Sequence, residues 1–148
     1  MAQPPTTTNR IASYPPRDAD GRVATLPDLL GGVVFGMVLG TIVLVAIDGI
    51  FALLGVGTFG TISGWLAGIL VVWLFVEEFR AWKGVPARIL VTVLAGVVAL
   101  IIGAFLGTNL GPLPAVFAGA IAVAVAGFIY AVLWFFGVRY LASRFGEG

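Results

Sequence analysis

Between Asp28 and Glu77 the chain carries a single charge, the carboxylate of Asp48, set in a long apolar run. An acid at membrane depth is costly to ionise, so it is kept for a purpose: to carry a proton or cation, or to meet a specific partner. Asp48 lies some six residues before the end of its run, about 9 Å by helical rise. Water reaches that depth, whereas the Lys and Arg side chains of the opposite end do not. Its available partners are Thr58, Thr61, Ser63, Thr108, Asn109, a backbone amide, a proton or another subunit. Asp48 is therefore a candidate ion or proton site or a partner-pairing acid, and the second reading is preferred.

The other concentration of ionisable groups is Glu77, Glu78, Arg80, Lys83 and Arg88. Glu77 and Arg80 are three apart on a helix, a spacing that brings side chains together. With Arg88 across the following turn, these residues are expected to form an ion-pair cluster at the cytoplasmic surface, a membrane anchor worth at most about 1 kcal/mol per exposed pair. Neighbouring carboxylates on a helix point to different faces, so Glu77 and Glu78 do not make an acid–base dyad. The sequence has neither Cys nor His. Thiol chemistry, disulfides and Cys or His metal and haem ligation are thereby excluded. No phosphate-cradling loop, nucleophile elbow or triad spacing is present. The expectation is a protein with no enzymatic activity and no cofactor.

The elements that carry these residues read as membrane spans. Of 148 residues, 60% are hydrophobic and 10% charged, and mean hydropathy is +1.11. Four apolar runs, about 26–54, 61–82, 86–106 and 113–143, suggest an all-α polytopic membrane protein with four transmembrane helices arranged as two antiparallel hairpins. Thr25, Pro27 and Asp28 form a helix start, while Gly84 and Pro86 place a helix stop and a helix start two residues apart. A hairpin of spans two and three is the implied result.

All eight Lys and Arg residues fall before the first run, around the junction of the second and third, or at the end of the fourth. Because this bias marks the cytoplasmic side, both termini are expected in the cytoplasm of a multi-pass protein of the cell membrane. Trp82, Trp134 and Tyr140 are expected at the inner interface and Trp65 near the outer one. Residues 1–24, with four prolines and three consecutive threonines, read as a disordered cytoplasmic tail, and residues 25–148 as the transmembrane domain. The tail has no apolar stretch resembling a signal peptide, so the first span is expected to direct insertion.

Small residues recur at four-residue spacing: Gly32, Gly36 and Gly40; Gly60, Gly64 and Gly68; Ala99, Gly103 and Gly107; Ala118, Ala122 and Ala126, with Gly119 and Gly127 alongside. Such faces let helix backbones approach closely where lipid offers no hydrophobic drive for association. They imply packing within the bundle, with surface left over for a partner. The net charge of +1 and the dispersed cations argue against nucleic acid. The expected partners are the lipid bilayer and other membrane subunits or a second copy of the chain. The functional expectation is an accessory or assembly subunit of a larger membrane complex, or a homo-oligomeric scaffold. The alternative is a minimal oligomeric transporter or channel using Asp48.

Overall fold

A computed structural model of the chain describes residues 15–144, and it is all-helical apart from turns and one isolated bridge. Helix α1 spans Leu26–Leu53, α2 Ile69–Ala81, α3 Ala87–Asn109 and α4 Ala115–Arg144, with a short 3-10 segment at Gly64–Gly68 leading into α2. Three of the helices, α1, α3 and α4, are long and apolar enough to cross a membrane. The start of α1 is fixed as its residues dictate. The Thr25 hydroxyl accepts a bond from the Asp28 amide at 3.3 Å and donates to the Asp28 carboxylate at 2.6 Å, satisfying an otherwise orphaned amide of the first turn.

The second apolar run departs from the expected continuous span. Thr61–Ser63 is irregular, Gly64–Gly68 is 3-10, and the α-helix proper has only 13 residues. The cause is steric. Gly64 is pressed against the first turn of α4, where any Cβ on it would overlap the Val116 carbonyl and the backbone of Gly119 and Ala120. The 3-10 segment is wedged between α1 and α4, with Gly64, Ala67 and Gly68 buried. Irregular backbone in apolar surroundings is tolerated where protein covers it, as at Gly64, Ala67 and Gly68.

Helix α4 is the centre of the fold, packing against α3, the 3-10 segment and α1. Its buried face is mostly small, with Gly119, Ala122, Ala126 and Ala131, and ends in Trp134 and Val138. Trp134 is 1% exposed, so it is a core residue and not part of an interfacial belt; Trp82 is likewise buried. A close pairing of α2 with α3 along their lengths is not seen. The tight turn at Gly84 and Pro86 joins them, but an apolar groove separates them above α4.

Residues 1–14, most of the expected tail, lie outside the described residues. Pro15–Ala24, also expected to be disordered, are folded. Arg17 and Val23 form an antiparallel bridge around a turn in which the Asp18 carboxylate accepts from the amides of Asp20 and Arg22. Pro15 packs over Gly32 and Val23 is 1% exposed. Val23 is the apolar residue whose burial holds this segment down.

Candidate functional site

Asp48 is 2% exposed and accepts a hydrogen bond from the Gly60 amide at 2.5 Å. Gly60 has a φ of +90°, a conformation that side chains rarely adopt. Its carbonyl accepts from the Val116 amide at 3.2 Å. The carboxylate of α1 thus holds the loop that leads into the 3-10 segment, and the same loop residue holds the first turn of α4. Chemically this is a backbone latch, with a fixed acceptor on a fixed donor. Neither of the cavities described below is lined by Asp48. Among the described residues, no group of three or more Asp or Glu could hold a metal ion.

At the other end, the expected ion-pair cluster separates into distinct contacts. Glu77 meets Arg80 at 3.0 Å on the surface. Glu78, one residue on and about 100° around the helix, turns inward: its side chain is 3% exposed and bridges Arg17 at 2.9 Å. Arg88 does not reach either carboxylate. It donates to the Phe79 carbonyl at 3.0 Å and lies over the Phe79 ring at 4.3 Å, because α3 starts beside the end of α2 and not beside its acidic face. Lys83 is exposed at the turn.

The residues that complete the Glu78 site were not legible as site residues. Glu78 also accepts the Val23 amide at 3.0 Å, and Arg139 of α4 donates to the Val23 carbonyl at 2.8 Å. The Val23 peptide is therefore clamped on both sides, by an acid of α2 and a cation of α4. Arg22 and Arg139 stack on Trp82 at 4.2 and 5.6 Å, and Arg139 lies 3.6 Å from the Phe135 ring centre. The available signal was an acid preceding the aromatic Phe79 and a valine shortly before the first apolar run, too little to pair across 55 residues.

The small residues form a seam. Gly32 faces Leu74, Gly36 faces Val71, and Gly40 abuts the Ala67 carbonyl, joining α1 to α2 and the 3-10 segment. Gly64 meets Gly119 backbone to backbone, and Gly68 meets Val123. Gly103 and Gly107 meet Ala126 and Ala122 between α3 and α4, while Gly127 has ordinary contacts with Val33 and Val71. All these contacts are within one chain.

Further along the same face of α4 lies a groove of about 870 Å³, walled by Val72 and Trp73 of α2 and by Gly96 and Leu100 of α3, and floored by Val123 and Tyr130. Tyr130 is edge-on to Phe75 at 4.4 Å and stacked with Trp134 at 6.2 Å. Beside it is a polar recess of about 540 Å³ lined by Arg17, Asp20, Glu77, Arg80 and Lys83, and Arg80 borders both. Compared with protein-family models, curated proteins and solved structures, the chain gives no significant match.

Proposed function

We propose that the chain is a four-span integral membrane protein of the cell membrane, with both termini cytoplasmic and no catalytic activity. It serves as an accessory or assembly subunit of a larger membrane complex or as a homo-oligomeric scaffold. The observation that carries this reading is the use of Asp48. The one acid remote from the basic end is committed to a backbone amide in a buried latch, an arrangement suited to fixing a loop and not to exchanging an ion with a pathway. The described Lys and Arg residues gather at the opposite end through contacts among the folded turn, the end of α2 and α4, in keeping with the positive-inside orientation.

The second crossing is the composite one. Five 3-10 residues and thirteen α-helical residues extend about 10 Å and 20 Å respectively, together close to the roughly 30 Å hydrocarbon layer. Large apolar side chains cover the outer faces of α1 and α3, among them Ile42, Ile101 and Phe105. These faces meet lipid or a neighbouring subunit.

Because the chain has no cysteine, single-cysteine labelling tests the topology directly. Reporters at Thr8, Lys83 and Gly148 are expected to be shielded from an impermeant reagent in intact cells, and reporters at Thr58 and Asn109 to react. Labelling of position 83 from outside would overturn the four-span arrangement. Purification in gentle detergent with mass identification of what accompanies the chain tests the subunit role; a chain that is monomeric and alone would count against it.

The break between 3-10 and α-helix at Gly68 favours one second reading, since discontinuous helices are a device of transporters. In that reading Asp48 binds a proton or cation when the latch opens. A cation- or proton-driven flux in proteoliposomes, abolished by Asp48→Asn, would establish it in place of the subunit role.

A further inference from the structure

Packing, cations and one acid fasten Pro15–Ala24 to the helices, and of these only the acid changes charge below neutral pH. Pro15 lies over Gly32, and Val23 is enclosed. The acid is Glu78, whose Oε1 accepts from the Arg17 guanidinium at 2.9 Å and from the Val23 amide at 3.0 Å. Both donors belong to the turn. The charged groups around Glu78 are engaged elsewhere. On α2, Glu77 and Arg80 pair with each other at the surface, while Arg88 of α3 donates to the Phe79 carbonyl and Asp28 of α1 accepts from Thr25. Arg139 of α4 is close enough to act on the carboxylate, but it donates to the Val23 and Ala24 carbonyls. Within the turn, Asp18 accepts two amides of its own loop, and Arg22 pairs with Asp20 and donates to the Ala81 carbonyl. Lys83 is exposed. Among the described residues, Glu78 is thus the one carboxylate that bonds a helix to this turn.

A proton on Glu78 removes the charge that holds Arg17 and reduces the Val23 contact to a neutral bond, about half as strong. The ionised form, in turn, is costly to leave buried once its donors have gone. Docking therefore selects the carboxylate and undocking selects the protonated acid, so the docked state is favoured at high pH and lost as pH falls. Two features depend on docking. The polar recess has one wall from the turn, with Arg17 and Asp20, and the other from the end of α2 and the bend after it, with Glu77 and Lys83. Helix α2 keeps its close backbone packing for α1 and meets α4 through side chains such as Phe75 on Tyr130; at its end, the Val23 peptide held between Glu78 and Arg139 ties it to α4. We propose that Pro15–Ala24 is a proton-released strap, docked while Glu78 is ionised and freed when Glu78 takes up a proton, which opens the recess and unties the end of α2 from α4. The strap stands on these contacts and is independent of the subunit role.

The test is the mobility of a spin label on the strap of the full-length protein in detergent. Asp20, whose side chain is 69% exposed, is changed to Cys and labelled; the chain has no other cysteine. Line shapes are recorded from about pH 8 to about pH 4, the range over which carboxylates titrate, with circular dichroism following the helices. The label should be slow at the upper end and fast at the lower, reversibly and with helix content unchanged. Glu78→Gln keeps an acceptor oxygen but has no charge to lose, and in it the pH dependence should vanish. Asp18→Asn, whose oxygen still accepts the Asp20 and Arg22 amides, should keep the transition. Label motion independent of pH in the otherwise unaltered protein would overturn the proposal. So would a transition that persists in Glu78→Gln, or one that disappears in Asp18→Asn and so belongs to the turn itself. Should Glu78→Gln fail to fold, Arg17→Gln decides from the strap side: its label should already be faster at about pH 8, and motion equal to that of the parent at every pH would overturn the strap.

Discussion

Two stretches along α4 pack in opposite ways. On one, the 3-10 segment and α1 come so close that Gly64 and Gly119 touch backbone to backbone and Gly40 abuts a carbonyl. On the other, α2 and α3 stand apart over an open groove whose wall includes Gly96. Both regions carry small residues, yet at Gly64 a small residue is a requirement and at Gly96 it is merely a lining. The difference teaches that small-residue spacing marks where close approach is permitted, while the neighbouring backbone decides where it occurs.

The comparison breaks most directly at its tightest point. Gly64→Leu should abolish the folded state, because the clash is with backbone, which cannot swing aside; ordinary overpacking costs about 1–3 kcal/mol, and this site should exceed it. A monodisperse, heat-stable Gly64→Leu protein on size exclusion would mean that the 3-10 segment does not sit against α4.

Next is the clamp on Val23. Glu78→Ala removes the acceptor of the Val23 amide and the partner of Arg17, and bonds to a charged group are worth about 1.5–3 kcal/mol each. The helices should survive while the Pro15–Ala24 turn undocks, read as faster tryptic cleavage at Arg17 and Arg22. Cleavage at the unaltered rate would show that burial of Val23 alone holds the turn.

A smaller loss is expected at the latch. Asp48→Ala leaves the Gly60 amide without its acceptor, costing about 1–3 kcal/mol. Asp48→Asn, which keeps an acceptor oxygen, should cost less than about 1 kcal/mol. Thermal denaturation in detergent separates the two, and equal losses would point to a role for the charge itself.

The least effect belongs to the open groove. Gly96→Ala should leave stability unchanged or raise it by up to about 1 kcal/mol, since alanine favours a helix and the added methyl meets open space. A clear destabilisation there would mean that the groove closes in the folded protein.

Much of the fold was legible from single residues. Thr25 and Asp28 fixed the start of α1, Gly84 and Pro86 the turn before α3, and uncharged length the three long helices. The break in the second run was not legible because hydropathy counts residues and not rise: the eighteen residues from Gly64 to Ala81 look the same whether they wind as α throughout or begin as 3-10. The Glu77–Arg80 contact followed from helical spacing alone, whereas Arg88 was assigned to the wrong partner because its reach depends on where α3 starts relative to α2. Asp48 was visible as an anomaly, and a backbone amide was among its expected partners. Which amide it holds depends on the path of a loop whose conformation turns on Gly60.

By itself, then, the sequence determined the apolar character of the chain, the starts of α1 and α3, the clustering of its cations and the absence of cysteine and histidine chemistry. These are properties of composition and of neighbours within a few residues, set by transfer free energy and by the backbone rules of helix ends. Tertiary structure alone decided that Glu78 and Arg139 meet across the Val23 peptide, that Gly64 lies on Gly119, and that α2 and α3 part to leave a groove ending at Arg80. Each of these depends on where two distant backbones come to rest, and side-chain bulk elsewhere sets that position.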